Sequence, residues 1–353
     1  MVTHPSETGK CNTPLDSRKE NPLYLHLDWL TIKVQMGNVN QCVQFCSDLG
    51  NYICSKGSEI YVEDKGIRRG HDGKDYKVIA FESDWYLKGE WVNGDLTVWL
   101  SGSYFENLSL TNQELLVRDL SAKDGVKITR IDLSIDDYVG IIPRKEMIEA
   151  YEMGNHSGFQ KMSVTESKDK FNDAKMITAY FGSRRSNSFT RIYDRYDSES
   201  KTYYMRQEVE LKGNKAKEAI KELIKGVNFA KTIGSLVLGQ IDFVNRYKPY
   251  GEREKNLDRC KRLEFYQTYI DKVLKGCTPI KVKSEKIVRT PQKTLKWVNK
   301  QCVKTLVAMF KGLGTENFLQ WLNNAFEDVE LDSHHHQLYW FLKRGYFSLE
   351  SVF

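Results

Sequence analysis

The chain has 353 residues, of which 40% are hydrophobic and 28% are charged. This composition supplies enough apolar side chains for one large or two modest folded domains and excludes wholesale disorder. No uncharged apolar run approaches the roughly 18 residues of a membrane-spanning helix, so we expect no membrane partner. Residues 1–21 are polar and lack the apolar segment of a secretory signal, which predicts a flexible tail.

The net charge of +6 is unevenly distributed along the chain. Residues 212–300 carry 22 Lys or Arg against nine Asp or Glu, a balance of +13. Aromatic residues are interspersed with these cations, namely Phe229, Phe243, Tyr247, Tyr250, Phe265, Tyr266, Tyr269 and Trp297. Cations that bind phosphates and rings that stack on unpaired bases indicate a nucleic-acid partner. The alternative is a set of solvated helix faces whose aromatic residues lie in the core.

The seven cysteines form no CxxC pair. Structural zinc sites need four ligands at close spacing, so the sequence does not predict one. Scattered, odd-numbered cysteines are typical of reduced thiols, which favours a cytoplasmic location.

The first third of the chain combines strands with two helices. Alternating and bulky residues bounded by turn residues predict strands over Tyr24–Gln35, Ile60–Glu63, Lys77–Glu82 and Asp95–Ser101. Apolar spacing predicts helices over Asn40–Asn51 and Thr111–Ala122. In the second helix, Thr111 is the expected N-cap and Glu114 closes a capping box.

The middle of the chain has the clearest strand, Lys127–Tyr138, followed by a helix from Pro143 to about Tyr151. Three more antiparallel strands are expected over Met176–Gly182, Phe189–Tyr193 and Tyr203–Lys212. Helical patterns then dominate, over 215–225, 228–234, 252–274, 292–312, 315–326 and 335–343. We therefore predict an α+β fold. A central antiparallel, twisted sheet carries the active site and is flanked by helices, and a mostly helical basic C-terminal region follows it.

Three of these strands place unusual polar residues on one face, because residues two apart in a strand share a face. The shared sets are Asp132 with Asp136, Arg206 with Glu208, Glu210 and Lys212, and Arg191 with Tyr193 and Arg195. If the strands are neighbours, four carboxylates converge beside a tyrosine and arginines. Clustered carboxylates need a cation, and hard oxygen donors suit Mg²⁺ or Mn²⁺. Such a site could transfer phosphoryl groups by tyrosine attack; the alternative is a solvent-facing sheet with cross-strand Arg–Glu pairs.

Five segments resemble the replication initiation factor family of rolling-circle replicons. They are YFGSRRSNSFTRIYDR (Tyr180–Arg195), RQEVELKG (Arg206–Gly213), TRIDLSIDD (Thr129–Asp137), HLDWLTIKV (His26–Val34) and LTVWLSGSYFENL (Leu96–Leu108). The resemblance covers residues 22–230 and extends more loosely to 340. The family includes plasmid initiators, relaxases of conjugative elements and replication proteins of filamentous phages.

The resemblance implies a DNA-nicking and strand-joining enzyme with Tyr193 as nucleophile. The tyrosine would hold the 5′ phosphate of one origin strand and release a 3′ hydroxyl as primer. Arg191 and Arg206 occupy positions where phosphate-binding arginines are needed. The implied ligands of Mg²⁺ or Mn²⁺ are Asp132 with Glu208 or Glu210, joined by Asp136 or Asp28. The implied DNA contacts are Ser183, Arg184, Arg185, Arg195 and Lys212. His26 has no partner histidine, so a structural role is favoured for it.

The resemblance also suggests an organisation and a set of partners. Residues 22–235 would form the nicking domain and 236–353 a helical DNA-binding or accessory region. The expected partners are origin DNA, single-stranded or cruciform at the nick, a host polymerase, a second copy of the chain, and a host helicase because the sequence has no GxxxxGK[ST] motif. Three alternatives stay open: a conjugative relaxase with the same chemistry, a non-catalytic DNA-binding regulator, and a metal phosphodiesterase in which water attacks. A fourth, a non-enzymatic partner protein that shares only a charged sheet, is disfavoured by the basic stretch over residues 212–300.

Overall fold

The computed structural model describes residues 22–53, 59–70, 73–168, 175–197, 201–246, 259–282 and 297–327, with a few single residues between and beyond them. The chain divides into two compact units, Met1–Ser284 and Glu285–Phe353. The expected tail and most of the expected helix at 335–343 lie outside the described residues.

A ten-stranded sheet forms the frame of the first unit. Its strands are β1 (Leu23–Gln35), β2 (Tyr61–Arg69), β3 (Asp75–Glu82), β4 (Leu87–Val92), β5 (Asp95–Leu100), β6 (Lys127–Asp137), β8 (Met162–Lys168), β9 (Lys175–Gly182), β10 (Ser188–Asp197) and β11 (Thr202–Lys212). They lie in the order β2-β3-β4-β5-β1-β6-β11-β10-β9-β8, and neighbouring strands are antiparallel. Two short strands, β7 (His156–Ser157) and β12 (Asp242–Phe243), pair separately.

Helices cover one face of this sheet. The helices of the first unit are α1 (Val39–Gly50), α2 (Gly102–Glu106), α3 (Leu110–Ala122), α4 (Arg144–Glu152), α5 (Asn214–Lys225), α6 (Phe229–Leu238) and α7 (Glu264–Leu274). On β6, Ile131, Leu133 and Ile135 are fully buried in the core that these helices complete. Burial of each such side chain stabilises the fold by about 1.5–3 kcal/mol. The apolar face of β6 therefore packs against the helices, and its other face points away from them. The opposite face carries the polar residues of the site.

The predicted α+β fold with an antiparallel sheet is confirmed, and the differences lie mainly at the edges of the sheet. The strands β4 and β8 were not predicted. β8 is an edge strand exposed along almost its whole length, so it shows no apolar alternation. β2 extends beyond the predicted Ile60–Glu63. All nine of its residues are exposed, so the sequence pattern did not reveal its full length.

The start of α3 also differs from the prediction. Ser109 is the N-cap, and its side chain accepts a hydrogen bond from the backbone N–H of Asn112. The prediction of Thr111 as N-cap is therefore wrong, since a hydroxyl two residues earlier reaches the free N–H groups. Glu114 closes no capping box and instead accepts hydrogen bonds from Arg118, one turn later.

The first unit extends past residue 235. Helix α7 packs on α6, and the Tyr269 hydroxyl donates a 2.9 Å hydrogen bond to Gln207 Oε1 on β11.

Four rings of the basic stretch, those of Phe229, Phe243, Tyr266 and Tyr269, are buried in this core. They therefore do not serve as base-stacking surfaces, whereas Tyr247 and Tyr250 lie outside the described residues. The functional division at residue 235 stays a prediction.

The second unit contains the helix α8 (Val303–Glu327), which changes direction at Gly314. The φ of +75° at Gly314 is a backbone conformation that favours glycine. This kink matches the predicted break between helices at 292–312 and 315–326. Within the described residues, no helix combines the length and the apolar character needed to cross a membrane.

Candidate active site

The polar residues predicted to share one sheet face do lie together. β1, β6, β11 and β10 are consecutive strands of the sheet. Across β6 and β11, Asp132 lies opposite Glu210 and Asp136 lies opposite Arg206. The neighbouring strand β10 places its own polar residues beside those of β11. The shared face expected from the two-residue spacing is therefore confirmed, but the four carboxylates do not form one group, because Asp136 is bound by Arg206.

Tyr193 lies on β10, at one side of this face, and is half-buried. Its hydroxyl donates a 2.8 Å hydrogen bond to Glu208 Oε2. The Arg191 guanidinium binds the same carboxylate through Nε, at 2.8 Å, and through Nη2, and lies 5.3 Å from the centre of the Tyr193 ring. Burial and the charge of Glu208 raise the pKa of Tyr193, so its ground state is the neutral phenol.

Three carboxylates, Asp132, Glu208 and Glu210, form a cluster beside this tyrosine. Asp132 and Glu208 are each only 1% exposed, so the face is not solvated at this point, although the cross-strand Arg–Glu pairs of the alternative interpretation are present. Burial raises the pKa of Asp132 to about 8, with the charges of Glu208 and Glu210 adding to it against the opposing hydrogen bond from Arg130. Burial is therefore the main reason that the protonated form of Asp132 is favoured in this cluster.

Arg130 is a member of the site that the sequence reasoning missed. It binds Asp132 through Nε at 2.8 Å and Nη2 at 2.5 Å, and its Nη2 lies 2.8 Å from Glu210 Oε2. Lys212 Nζ lies 2.5 Å from the other oxygen of Glu210. The signal was present, because Arg130 shares the polar face with Asp132 two residues later.

The chemistry of the carboxylate cluster suits a hard divalent cation, since its donors are carboxylate oxygens. In this arrangement the cations next to the oxygens are Arg130, Arg191 and Lys212. Among the described residues, no three His, Cys, Asp or Glu side chains are arranged to hold a metal ion as they stand. A cation at this cluster would therefore replace contacts now made by Arg130.

The carboxylate of Asp136 lies apart from the cluster, paired with the fully buried Arg206. Arg206 binds both Asp136 oxygens, at 2.5 and 2.7 Å, and its Nη1 binds Asp28. His26 Nε2 lies 3.1 Å from Asp136 Oδ2. Burial opposes ionisation of Asp136, but the charges of Arg206 and His26 outweigh it and hold its pKa below the usual range. Gly102 leaves room for this group, because a Cβ there would lie 2.8 Å from Asp28 Oδ1.

The residues expected to contact DNA surround the polar face. Ser183, Arg184 and Arg185 are exposed in the turn between β9 and β10. Lys212 Nζ donates a 2.6 Å hydrogen bond to the main-chain oxygen of Arg184, which links this turn to the end of β11. Arg195 is half-exposed and lies 3.7 Å from Glu106 of α2. These groups place positive charge on two sides of Tyr193.

Other tyrosines near Tyr193 are less suited to reach a phosphate. Tyr204 shares the polar face but is 8% exposed and stacks on Tyr138, with ring centres 4.7 Å apart. Burial raises the pKa of Tyr204. Tyr196 and Tyr203 contact each other at the far end of the β10–β11 pair. Of these side chains, Tyr193 is the one bonded to the carboxylate cluster.

The raised pKa of Asp132 predicts a pH-dependent stability in the absence of divalent cations. Between the unfolded pKa of about 4 and the folded value of about 8, the native state binds more protons than the unfolded state. The free energy of unfolding should therefore fall as pH rises through this window, by at most about 1.4 kcal/mol per pH unit. Asp132→Asn should remove this dependence, measured by urea unfolding in EDTA from pH 5 to 9. The exposed-site variant Asp271→Asn should retain it, and an Asp132→Asn profile equal to wild type would contradict the prediction.

Comparison with known proteins adds three findings. The model of a family described as "Replication initiation factor" matches residues 126–325, more than half of the chain. A search of curated proteins found no match. Among solved structures, the chain is similar to a rolling circle replication initiator protein from Geobacillus stearothermophilus, with 17% identity and a TM-score of 0.52. That similarity covers 75% of this chain and 100% of the other, and at this identity it shows a shared fold.

Proposed function

The chain belongs to the replication initiation factor family, and on that premise we propose that it is an origin-specific DNA nickase and strand transferase that starts rolling-circle replication. Tyr193 attacks a phosphodiester in one origin strand and becomes joined to the 5′ phosphate. The 3′ oxygen leaves as a free hydroxyl that primes a host polymerase. The observation that carries the proposal is the Tyr193 hydroxyl, bonded to Glu208 beside the three-carboxylate cluster.

The residues around Tyr193 support each part of this step. Glu208 already accepts the phenolic hydrogen at 2.8 Å, so it is placed to take the proton as the oxygen bonds to phosphorus. The P–O3′ bond breaks in the same displacement, and the departing 3′ oxygen takes up a proton. The side chain of Arg191 is 30% exposed and lies beside the phenol, where it can hold a phosphate oxygen.

Asp132 and Glu210 would hold the divalent cation, Mg²⁺ or Mn²⁺, which leaves Glu208 to accept the proton of Tyr193. When bound, it would neutralise these carboxylates, polarise the phosphate and favour the phenolate. Asp136 has a different role in this proposal, because Arg206 and His26 already engage it. Arg206 acts as a positioning residue: it anchors β11, which carries Glu208, to β1 and β6.

Origin DNA reaches Tyr193 as a single strand or a cruciform, because in-line attack needs a freely oriented phosphodiester. The exposed turn at Ser183, Arg184 and Arg185, together with Arg195 and Lys212, supplies phosphate contacts that fix the register. Unwinding beyond the nick is assigned to a host helicase, and termination to a second copy of the chain or to water.

Nicking of supercoiled plasmid tests the proposed function. With Mg²⁺ or Mn²⁺, the purified protein should convert a plasmid carrying its own replicon's origin into the open circle. A matched plasmid without the origin should stay supercoiled, and EDTA should abolish the reaction. Binding of the origin plasmid without any nicking under these conditions would leave a DNA-binding regulator and refute the nickase.

A further inference from the structure

Three half-buried rings, those of Trp29, Trp99 and Tyr76, form what is called here the aromatic strip. The strip begins at the carboxylate cluster, because Trp29 of β1 lies opposite Asp132 of β6. The Arg130 guanidinium lies 5.1 Å from the centre of the Trp29 ring while it binds Asp132. The first ring of the strip is therefore in direct contact with a group of the proposed active site.

The strip continues across β1 and β5 towards the edge of the sheet. Trp29 Nε1 donates a 2.9 Å hydrogen bond to Thr31 Oγ1, and Thr31 lies opposite Trp99 of β5. Trp99 and Tyr76 line one surface pocket of about 310 Å³. Because paired residues of antiparallel strands share a face, Trp29 and Trp99 lie on the same side of the sheet as Tyr193.

The lining of this pocket suits a nucleobase better than a phosphate. Besides the rings, it contains the exposed Lys33 and Asn93 and the carboxylates Glu90 and Asp95. Two carboxylates repel a phosphate, and Glu90 is already bound by both terminal nitrogens of Arg68, at 3.1 Å each. Rings offer stacking to a base face, while amide and carboxylate groups offer hydrogen bonds to base edges.

We propose that the aromatic strip binds unpaired bases of the DNA strand that flanks the phosphate attacked by Tyr193. The inference rests on the proposed function, which places the scissile phosphate at Tyr193. Trp99 lies four strand intervals across the sheet from Tyr193, and the strand pairing offsets it by six residues along β11. At the usual strand spacing and rise the separation is about 28 Å, which several nucleotides of single strand can span. Stacking on these half-buried rings needs unstacked bases, so the strip selects single-stranded over duplex DNA.

Binding of a short fluorescein-labelled oligothymidine in EDTA tests the strip without any chemistry. Trp99→Ala should weaken binding by about tenfold and leave binding of a duplex of equal length unchanged. Trp99→Phe keeps a ring and should bind within about threefold of wild type. Tyr196→Ala is the matched control, because this exposed ring lies on the other sheet face at the far end of β10, and it should bind as wild type. Thermal unfolding reports whether each variant is folded.

Photocrosslinking gives a second readout that needs no variant. A 5-iodouracil-substituted oligothymidine should crosslink to the peptides that contain Trp29 or Trp99. A folded Trp99→Ala that binds as wild type, or crosslinks confined to other peptides, overturns the proposal. If Trp99→Ala does not fold, the proposal is supported by crosslinks to the Trp29 or Trp99 peptides together with retained binding by Trp99→Phe. The absence of those crosslinks overturns the proposal. A DNA adduct on Tyr193 in wild type, measured in parallel, separates failure of the strip from failure of the nickase.

Discussion

Tyr193→Phe is expected to lower the rate of origin nicking by about 10⁴-fold or more, because it removes the oxygen that bonds to phosphorus. The fold should tolerate the change, since the ring stays and one hydrogen bond to Glu208 is lost, worth about 1 kcal/mol. Glu208 keeps its two contacts with Arg191. Single-turnover nicking of supercoiled origin DNA with Mn²⁺, at saturating protein, measures the effect.

Two neighbouring tyrosines provide the controls for this variant. Tyr204→Phe and Tyr196→Phe should each nick within a few-fold of wild type, because neither hydroxyl bonds to the carboxylate cluster. Nicking that survives in Tyr193→Phe and is lost in Tyr204→Phe would place the nucleophile on β11. Nicking that survives in all three variants would favour water attack.

Arg206→Met is expected to lower the free energy of unfolding by about 3–5 kcal/mol, because it removes the guanidinium that binds two buried carboxylates, Asp136 and Asp28. Asp136 is 3% exposed and Asp28 is 8% exposed, so water cannot replace the guanidinium. Urea unfolding at pH 7 measures the loss. The double variant Arg206→Met/Asp136→Asn should recover part of it, since one buried charge is then removed as well.

Arg118→Met is the matched control for Arg206. Arg118 is partly exposed and pairs with Glu114 on the surface of α3, so its loss should cost less than about 1 kcal/mol. If Arg206→Met is as stable as this control but no longer nicks DNA, Arg206 binds phosphate, as the resemblance implied, and the anchoring role is wrong. A large loss of stability supports the anchoring role.

The central strands and the shared polar face were predictable because burial enforces a two-residue period. Apolar residues at every second position lie in the core, Ile131, Leu133 and Ile135 in β6 and Val209 and Leu211 in β11, so the residues between them face the site. The same argument placed Tyr193 with Arg191 and Arg195. Edge strands such as β8 lack this signal, because neither of their faces is buried.

The pairing of charges within the site could not be predicted from the sequence. Arg206 and Asp28 are 178 residues apart, and their contact depends on a register shift between Leu27 and Trp29 on β1. The sequence pattern indicated that the four carboxylates on one face, Asp132, Asp136, Glu208 and Glu210, form one group. The structure divides them, with Asp136 held by Arg206 and the other three around Arg130. The division follows from register and side-chain reach, which residue spacing does not specify.

Mass spectrometry of the protein after reaction with origin DNA tests the central claim most directly. Wild-type protein, supercoiled origin plasmid and Mn²⁺ are incubated, the DNA is digested with nuclease, and tryptic peptides are searched for an attached nucleotide. The account predicts a nucleotide adduct on Tyr193 that is absent with EDTA and in Tyr193→Phe. Efficient nicking with no adduct on any peptide, or an adduct on another tyrosine, would contradict it.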